Sequence, residues 1–473
     1  MVFSSPTFIC LFLPLTLGFY FLLPRSANNA VLVAASLVFY GWGDPVAAFA
    51  LIVPSVGMNF CLGRMIARAE GSRRRALLIS VGINLAILIA FKYSRFILGN
   101  VNDLLLLAGV PTIRVPEIPL PLGISFFTFH ILSYLIDVYR GSLPPQPSLL
   151  TFTLYIINFP QLIAGPIIRY RQIADQLDSR SATLIDFEYG VLRFVTGLGK
   201  KLLVADPIGQ IADIVFGLPP GELTTGAAWL GVACYALQIY FDFSGYSDMA
   251  IGLARMFGFR FPENFNYPYS SVSIQDFWRR WHMTLSAWFR DYVYIPLGGN
   301  RGGAWETARN LWIVFFLTGA WHGASWSFVV WGLWHGLFLS LERLAPAAAM
   351  IERTPRIVRT SYALLVVLIG WVFFRAPTLD HALAYLGRMF AFDFGGENLL
   401  RTFDLVTLHS LTVIAVAFAL SQPVWPALRL WLTEAGARPE LRLFSSAYVS
   451  AVMILSFAAM AGQENSPFLY FRF

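Results

Sequence analysis

Charge is scarce in this chain. Lys, Arg, Asp and Glu make up 13% of its 473 residues, against 57% hydrophobic ones, where soluble domains carry about a quarter charged. A water-soluble enzyme is excluded on that ground. The net charge of +7 does not argue for a nucleic-acid partner, because the basic residues are scattered among apolar runs and form no separate basic domain. Cysteine is nearly absent as well. Cys10, Cys61 and Cys234 all lie in apolar runs without redox or metal spacing, so buried packing is expected of them and no disulfide framework. No HExxH, no histidine pair at i,i+4, no GxSxG elbow, no P-loop and no dinucleotide fingerprint is present, which removes the usual support for metal, hydrolase and kinase readings. No Ser/Gly-rich linker, low-complexity tract or solenoid repeat divides the chain.

What is present is apolar length. The mean hydropathy is +0.62, and runs long enough to cross about 30 Å of hydrocarbon recur at residues 7–24, 29–43, 46–62, 76–91, 120–138, 190–205, 225–241, 308–341, 361–374, 405–421 and 445–461. The fold class expected is all-α and polytopic, one integral membrane domain over residues 1–473 with about ten to twelve crossings and its motif-rich core near 120–345. The first run has no positive n-region and no small-residue cleavage site, so it is expected as a retained helix. Arg25 and the basic stretch 63–75 fall on one side by the positive-inside rule, predicting an outside N-terminus and a cytoplasmic 63–75 loop. Polar, Gly- and Pro-bearing stretches at 159–172, 261–271 and 295–303 interrupt the runs. Irregular backbone at membrane depth survives when buried or lining a cavity, so short re-entrant or interfacial pieces around a central cavity are expected there.

Ionisable residues inside apolar runs are the candidate chemistry, since an intramembrane charge costs about 2.5–3.5 kcal/mol on insertion scales and marks a working site. The run 308–341 holds two histidines, His322 and His335. His322 is flanked by Gly319 and Gly323, small residues that let a substrate or another backbone approach. Desolvation favours a neutral imidazole, which takes a proton from an attacking hydroxyl, so a general base is its natural role. His335 lies thirteen residues on and would face elsewhere on a continuous helix. His130 is expected to be packed and hydrogen-bonded, and His381 and His409 to be structural or solvated. The segment 275–290 predicts one amphipathic helix, with Gln275, Arg279, His282, Ser286 and Arg290 on the polar face and Phe277, Trp281, Leu285 and Trp288 opposite. That Arg-rich face suits phosphate headgroups of membrane lipids or an anionic donor. In "YFDFSGYSDMAIGL" (240–253) Asp242, Ser244 and Asp248 interrupt a spanning run. They either hold helices together or line the site.

These strings resemble a known family. "PLGISFFTFHILSYLIDVYRG", "FPQLIAGPIIR", "YFDFSGYSDMAIGLARMFGFRFPENFNYPY", "FWRRWHMTLSAWFRDYVYIPLGGNR" and "TGAWHGASW" resemble the membrane-bound O-acyltransferases, and within them the bacterial branch that contains alginate O-acetyltransferase. The resemblance covers nearly the whole chain. It implies a multi-helix fold around a central catalytic cavity in the inner membrane that moves an acyl group from a cytoplasmic thioester to a hydroxyl outside. The histidine of the WHG motif, His322, is then catalytic, and the histidine of "RRWH", His282, is the second site position. There, His282 orients donor or acceptor or helps polarise the carbonyl. Arg279 and the Asp242, Ser244, Asp248 cluster become candidate cavity residues. No tightly bound cofactor or metal is implied; acetyl-CoA or an acylated carrier protein is the donor substrate. The implied acceptor is an exported polysaccharide such as alginate, with peptidoglycan, cellulose or teichoic acid as alternatives, and SGNH-like transferases outside the membrane are the implied partners. The tail "SPFLYFRF" is similar to the C-terminal motif of a small partner of the teichoic acid D-alanyl transferase. Tyr470 would then carry the acyl group, or else the aromatic tail packs at the interface. A transporter with a proton relay is the competing class, but its usual pair of related halves is not visible. A scaffold of a secretion complex is the third.

Overall fold

The computed structural model describes residues 1–43, 45–344, 353–394, 406–423 and 439–462. Every regular element among them is helical. Four described helices are long and apolar enough to cross a bilayer, at Phe49–Arg68, Arg73–Lys92, Arg356–Arg375 and Leu443–Gly462, and shorter apolar helices stand at Phe8–Leu22, Ile124–Tyr139, Trp326–Leu341 and Leu408–Leu420. The chain is an all-α, polytopic membrane protein. Its described residues form two compact units, one of residues 1–183 and 254–261, the other of residues 184–253 and 262–473.

The first unit contains α1 (Leu13–Leu22), α2 (Asn28–Gly41), α3 (Pro45–Arg68), α4 (Arg73–Lys92), α5 (Ser94–Leu107), α6 (Ile124–Tyr139), α7 (Leu149–Ile157), α8 (Phe159–Leu162) and α9 (Tyr170–Asp178). Phenyl rings fill its core: Phe12 meets Phe159 edge-on at 5.4 Å and stacks on Phe8 at 5.4 Å. Where α3 crosses α4, Asn59 and Asn84 exchange amide hydrogen bonds of 3.0 and 2.7 Å, which satisfies two polar groups that lipid would leave stranded. His130 is fully buried in α6 and accepts the backbone N–H of Ile168 at 3.4 Å, as a packed, hydrogen-bonded histidine. The irregular stretch 159–172 is almost entirely buried. Cys10 and Cys61 are exposed, and only Cys234, in the second unit, is buried. The packing expected of the first two is corrected: the outer face of an apolar membrane helix meets lipid, so an apolar run does not imply burial in protein.

The second unit contains α10 (Leu184–Gly199), a π-helical turn at Lys200–Ala205, α11 (Asp206–Gly217), α12 (Thr225–Met256), α13 (Ile274–Arg280), α14 (Met283–Phe289), α15 (Ala304–His322), α16 (Trp326–Leu341), α17 (Arg356–Arg375), α18 (Leu379–Met389), α19 (Leu408–Leu420) and α20 (Pro439–Gly462). Glycines bring α10 and α12 together. A Cβ on Gly197 would stand 2.4 Å from the carbonyl oxygen of Gly245, and one on Gly252 would stand 2.5 Å from that of Gly190. Two antiparallel glycine pairs therefore let the backbones touch, the small-residue packing of membrane helices. A second such crossing joins α15 and α16, where a Cβ on Gly319 would stand 2.3 Å from the oxygen of Phe328 and one on Gly332 would stand 2.2 Å from that of Phe315.

The segment expected as a single helix is broken, and so is the apolar run 308–341. The run 308–341 is a helical hairpin, because Gly323 adopts an extended conformation immediately after His322. The segment 275–290 is two helices joined at Trp281 and His282, the first extended and the second left-handed at φ 42°. The single polar face is not formed, since His282 at its middle is fully buried, and tertiary hydrogen bonds replace helical ones at the joint: Asn266 N–H donates to Arg280 O and Met283 N–H to Asn264 O, both at 2.9 Å. The stretch 295–303 is mostly exposed.

Candidate active site

The close α10–α12 crossing sets opposite charges face to face. The π-turn that follows α10 aims two adjacent lysines differently: Lys200 reaches Asp248 at 2.7 Å, while Lys201 lies between Asp206 at 2.7 Å and Asp242 at 2.8 Å. Arg193, about two turns earlier, reaches Asp248 and Glu263, each at 2.6 Å. These groups are mostly buried, so each charge depends on its partners; removing one from such a pair costs about 3–5 kcal/mol. Arg193, Lys200 and Lys201 are site residues that no motif marks, although three cations in the apolar run 190–205 are rare enough to flag a site.

A cavity of about 330 Å³ opens beside this network. Ser244 and Asp248 line it, as their i,i+4 spacing on one helix face requires, together with Arg193, Lys200, Asn264 and Tyr448. Asp242 is not among the lining residues and is held by Lys201. Of the two roles open to this cluster, Asp242 therefore joins helices, Ser244 faces the cavity, and Asp248 does both. The irregular residues 263–267 form part of the wall, as the sequence led one to expect of 261–271. Arg279 is exposed on α13 and does not line the cavity.

His282 stands one hydrogen bond behind that wall. Its side chain is fully buried, its Nδ1 is 3.1 Å from Asn264 Oδ1, and Phe243 meets its ring edge-on at 4.7 Å. A left-handed non-glycine residue costs about 1–3 kcal/mol and is kept where surrounding structure demands it, typically at working sites. The helix leading into this turn is capped by Glu342, whose carboxylate accepts the N–H groups of Ile274 and Gln275 at 2.7 and 3.0 Å.

His322 is the last residue of α15, 3% exposed. Its ring sits among Trp321, Trp331 and Phe374 at centroid distances of 4.9, 4.9 and 5.0 Å. Trp321 links the two histidines, with its ring 6.2 Å from that of His282. The flanking glycines serve packing: Gly319 admits the Phe328 carbonyl and Gly323 the Phe328 ring. His335 is buried in an aromatic box, parallel to Phe277 at 6.3 Å and edge-on to Trp278 at 5.2 Å. His381 is half-buried and His409 exposed. Tyr470 lies outside the described residues.

Two buried imidazoles on one indole, His282 a hydrogen bond behind the cavity wall, suit proton transfer in a site that excludes water. The profile of the membrane-bound O-acyltransferase family matches residues 132–374, a segment that includes both. A "Probable alginate O-acetylase" of Azotobacter vinelandii is 42% identical, with 100% of each chain covered. A "Peptidoglycan O-acetyltransferase" of Helicobacter pylori is 33% identical, with 100% of this chain and 98% of the relative covered. A "Teichoic acid D-alanyltransferase" of Bacillus subtilis is 32% identical over 46% of this chain and 58% of its own length.

Proposed function

The chain belongs to the membrane-bound O-acyltransferase family, and from that premise we propose that it moves acetyl from a thioester donor to hydroxyls of an exported polysaccharide of the alginate class. The observation that carries this reading is the placement of His322 at the broken end of α15, in a water-poor aromatic pocket joined through Trp321 to His282. Full-length similarity to the "Probable alginate O-acetylase" of Azotobacter vinelandii supports the acceptor class.

In the proposed step the acceptor hydroxyl oxygen bonds to the thioester carbonyl carbon while its proton passes to His322. The tetrahedral adduct collapses, the carbon–sulfur bond breaks, and the thiolate leaves with that proton as free thiol. The products are an oxygen ester and unacylated donor. His322 is the general base and His282 the orienting group. Asp242, Asp248 and Lys201 hold the helices that frame them, Ser244 faces the substrate, and Arg279 meets anionic headgroups at the surface. The donor is acetyl-CoA or an acylated carrier protein, the membrane is the inner one, and extracytoplasmic SGNH-like transferases complete delivery. Tyr470 belongs to this proposal as an acyl carrier; normal transfer in Tyr470→Phe, which keeps the ring and loses the hydroxyl, would exclude that role.

The test is the O-acetyl content of the exported polysaccharide, by proton NMR, in a deletion strain carrying wild type or His322→Ala at matched membrane levels. Loss of acetyl with the alanine variant alone is expected, together with donor-dependent release of free thiol by wild-type membranes. Acetylation that persists without His322, or no thiol release, overturns the reading and returns the chain to a scaffold or transporter role.

A further inference from the structure

Asn264 holds the turn at His282 through both its backbone and its side chain. Its backbone oxygen accepts the N–H of Met283 at 2.9 Å. Its Oδ1 accepts the N–H of Thr284 at 3.3 Å and the hydroxyl of Thr284 at 2.9 Å, and its Nδ2 donates to Ser247 Oγ on α12 at 3.1 Å. Asn264 is 1% exposed, Ser247 1% and Thr284 6%, so water does not compete for these bonds.

Which way the amide points follows from groups that have no choice. A backbone N–H only donates, so the side-chain atom facing Thr284 N is the oxygen. An amide oxygen only accepts, so His282 Nδ1, 3.1 Å from that same oxygen, carries a hydrogen. In a neutral imidazole the lone pair is then on Nε2. The left-handed backbone of His282 serves the same end, because it brings both the ring and Thr284 onto one acceptor.

We propose that Asn264 is a positioning residue that fixes His282 as its Nδ1–H tautomer, so that Nε2 acts in acyl transfer as the acceptor for an O–H or N–H of the substrate. This rests on His282 taking part in the transfer as proposed above. It also decides between the roles open to that histidine. With no hydrogen on Nε2, neutral His282 orients a hydrogen-bond donor and does not polarise the thioester carbonyl, which requires a donated hydrogen. Asn264 further ties this orientation to the cavity, since it lines the cavity wall and holds Ser247 of α12.

Full-length protein labelled with 15N-histidine, in lipid bilayers, gives the tautomer directly by solid-state NMR, the His282 signals being those lost in His282→Gln. Wild type is expected to show a protonated Nδ1 and a bare Nε2. Asn264→Asp keeps the acceptor and the signature; Asn264→Leu removes the acceptor, moves the proton to Nε2 in part or whole, and lowers kcat by about 10²-fold, the lower end of what a positioned proton acceptor contributes. The aspartate variant recovers most of the rate that leucine loses. A wild-type His282 protonated on Nε2, or an unchanged Nδ1–H signature in Asn264→Leu, overturns the proposal, and the first does not depend on the folding of the Asn264 variants. Failure of the acyltransferase reading looks different: wild type then transfers no acetyl while its tautomer is as stated.

Discussion

Gly197→Ala should loosen the crossing on which the polar network depends. The added methyl would stand 2.4 Å from Gly245 O, 2.8 Å from Met249 N and 2.9 Å from Met249 Cγ, whereas carbon makes its best contacts at about 3.5–4.0 Å. The first two atoms are backbone and cannot rotate aside, so α10 and α12 must part by about 1 Å. Overpacking of this kind costs about 1–3 kcal/mol, offset by the roughly 0.5–1 kcal/mol that alanine gains over glycine inside a helix. A net loss of roughly 0 to 2.5 kcal/mol, about 1 at mid-range, is expected. The same displacement pulls Lys200 from Asp248, now 2.7 Å apart, and reduces transfer activity with stability. Gly387→Ala in α18 is the control, because no atom lies within 4 Å of its added methyl, so it keeps the helix gain alone. Thermal unfolding in detergent should rank Gly387→Ala above wild type and Gly197→Ala below it. A Gly197→Ala protein that melts at or above wild type, with the control raised, refutes the reasoning.

Two further perturbations test the network and its frame. Asp248→Asn leaves Arg193 and Lys200 without their shared carboxylate and should cost about 3 kcal/mol, read as an earlier unfolding transition; adding Lys200→Met should restore part of it, and no restoration would mean that the pair is not coupled. Asp393 caps the first turn of α12 by accepting the N–H of Thr225 at 2.9 Å and its hydroxyl, and Arg388 pairs with it. The hydrogen bonds from Thr225 hold its carboxyl below the ordinary 3.8. A depressed acid contributes stability above its unfolded pKa and loses it as pH falls through the folded value. Melting temperature should therefore decline more steeply with acid below about pH 4 in wild type than in Asp393→Asn, and parallel curves would exclude the cap.

Much of this was legible along the chain. Apolar length and scarce charge determined a multi-helix membrane protein, because lipid admits only backbones that satisfy their own hydrogen bonds, and long motif strings determined the family. Histidines in an apolar run stood out by the same energetics, and the i,i+4 spacing of Ser244 and Asp248 placed them on one face, where both line the cavity. The tertiary structure decided what periodicity cannot express. The polar rhythm of 275–290 is helical throughout, yet the joint at His282 exists because Asn264 and Asn266, sixteen and fourteen residues earlier than Arg280, supply hydrogen bonds that a helix would otherwise make internally. Which lysine meets which aspartate depends on a π-turn and on glycines that admit one backbone to another. His322 and His335 share a run in sequence, but a break with Gly323 and Ser325 extended folds that run back, and both rings come to rest on Trp331. Composition selects the solvent in which a chain folds; which buried polar atoms meet is set by where helices cross, and crossings join residues far apart in sequence.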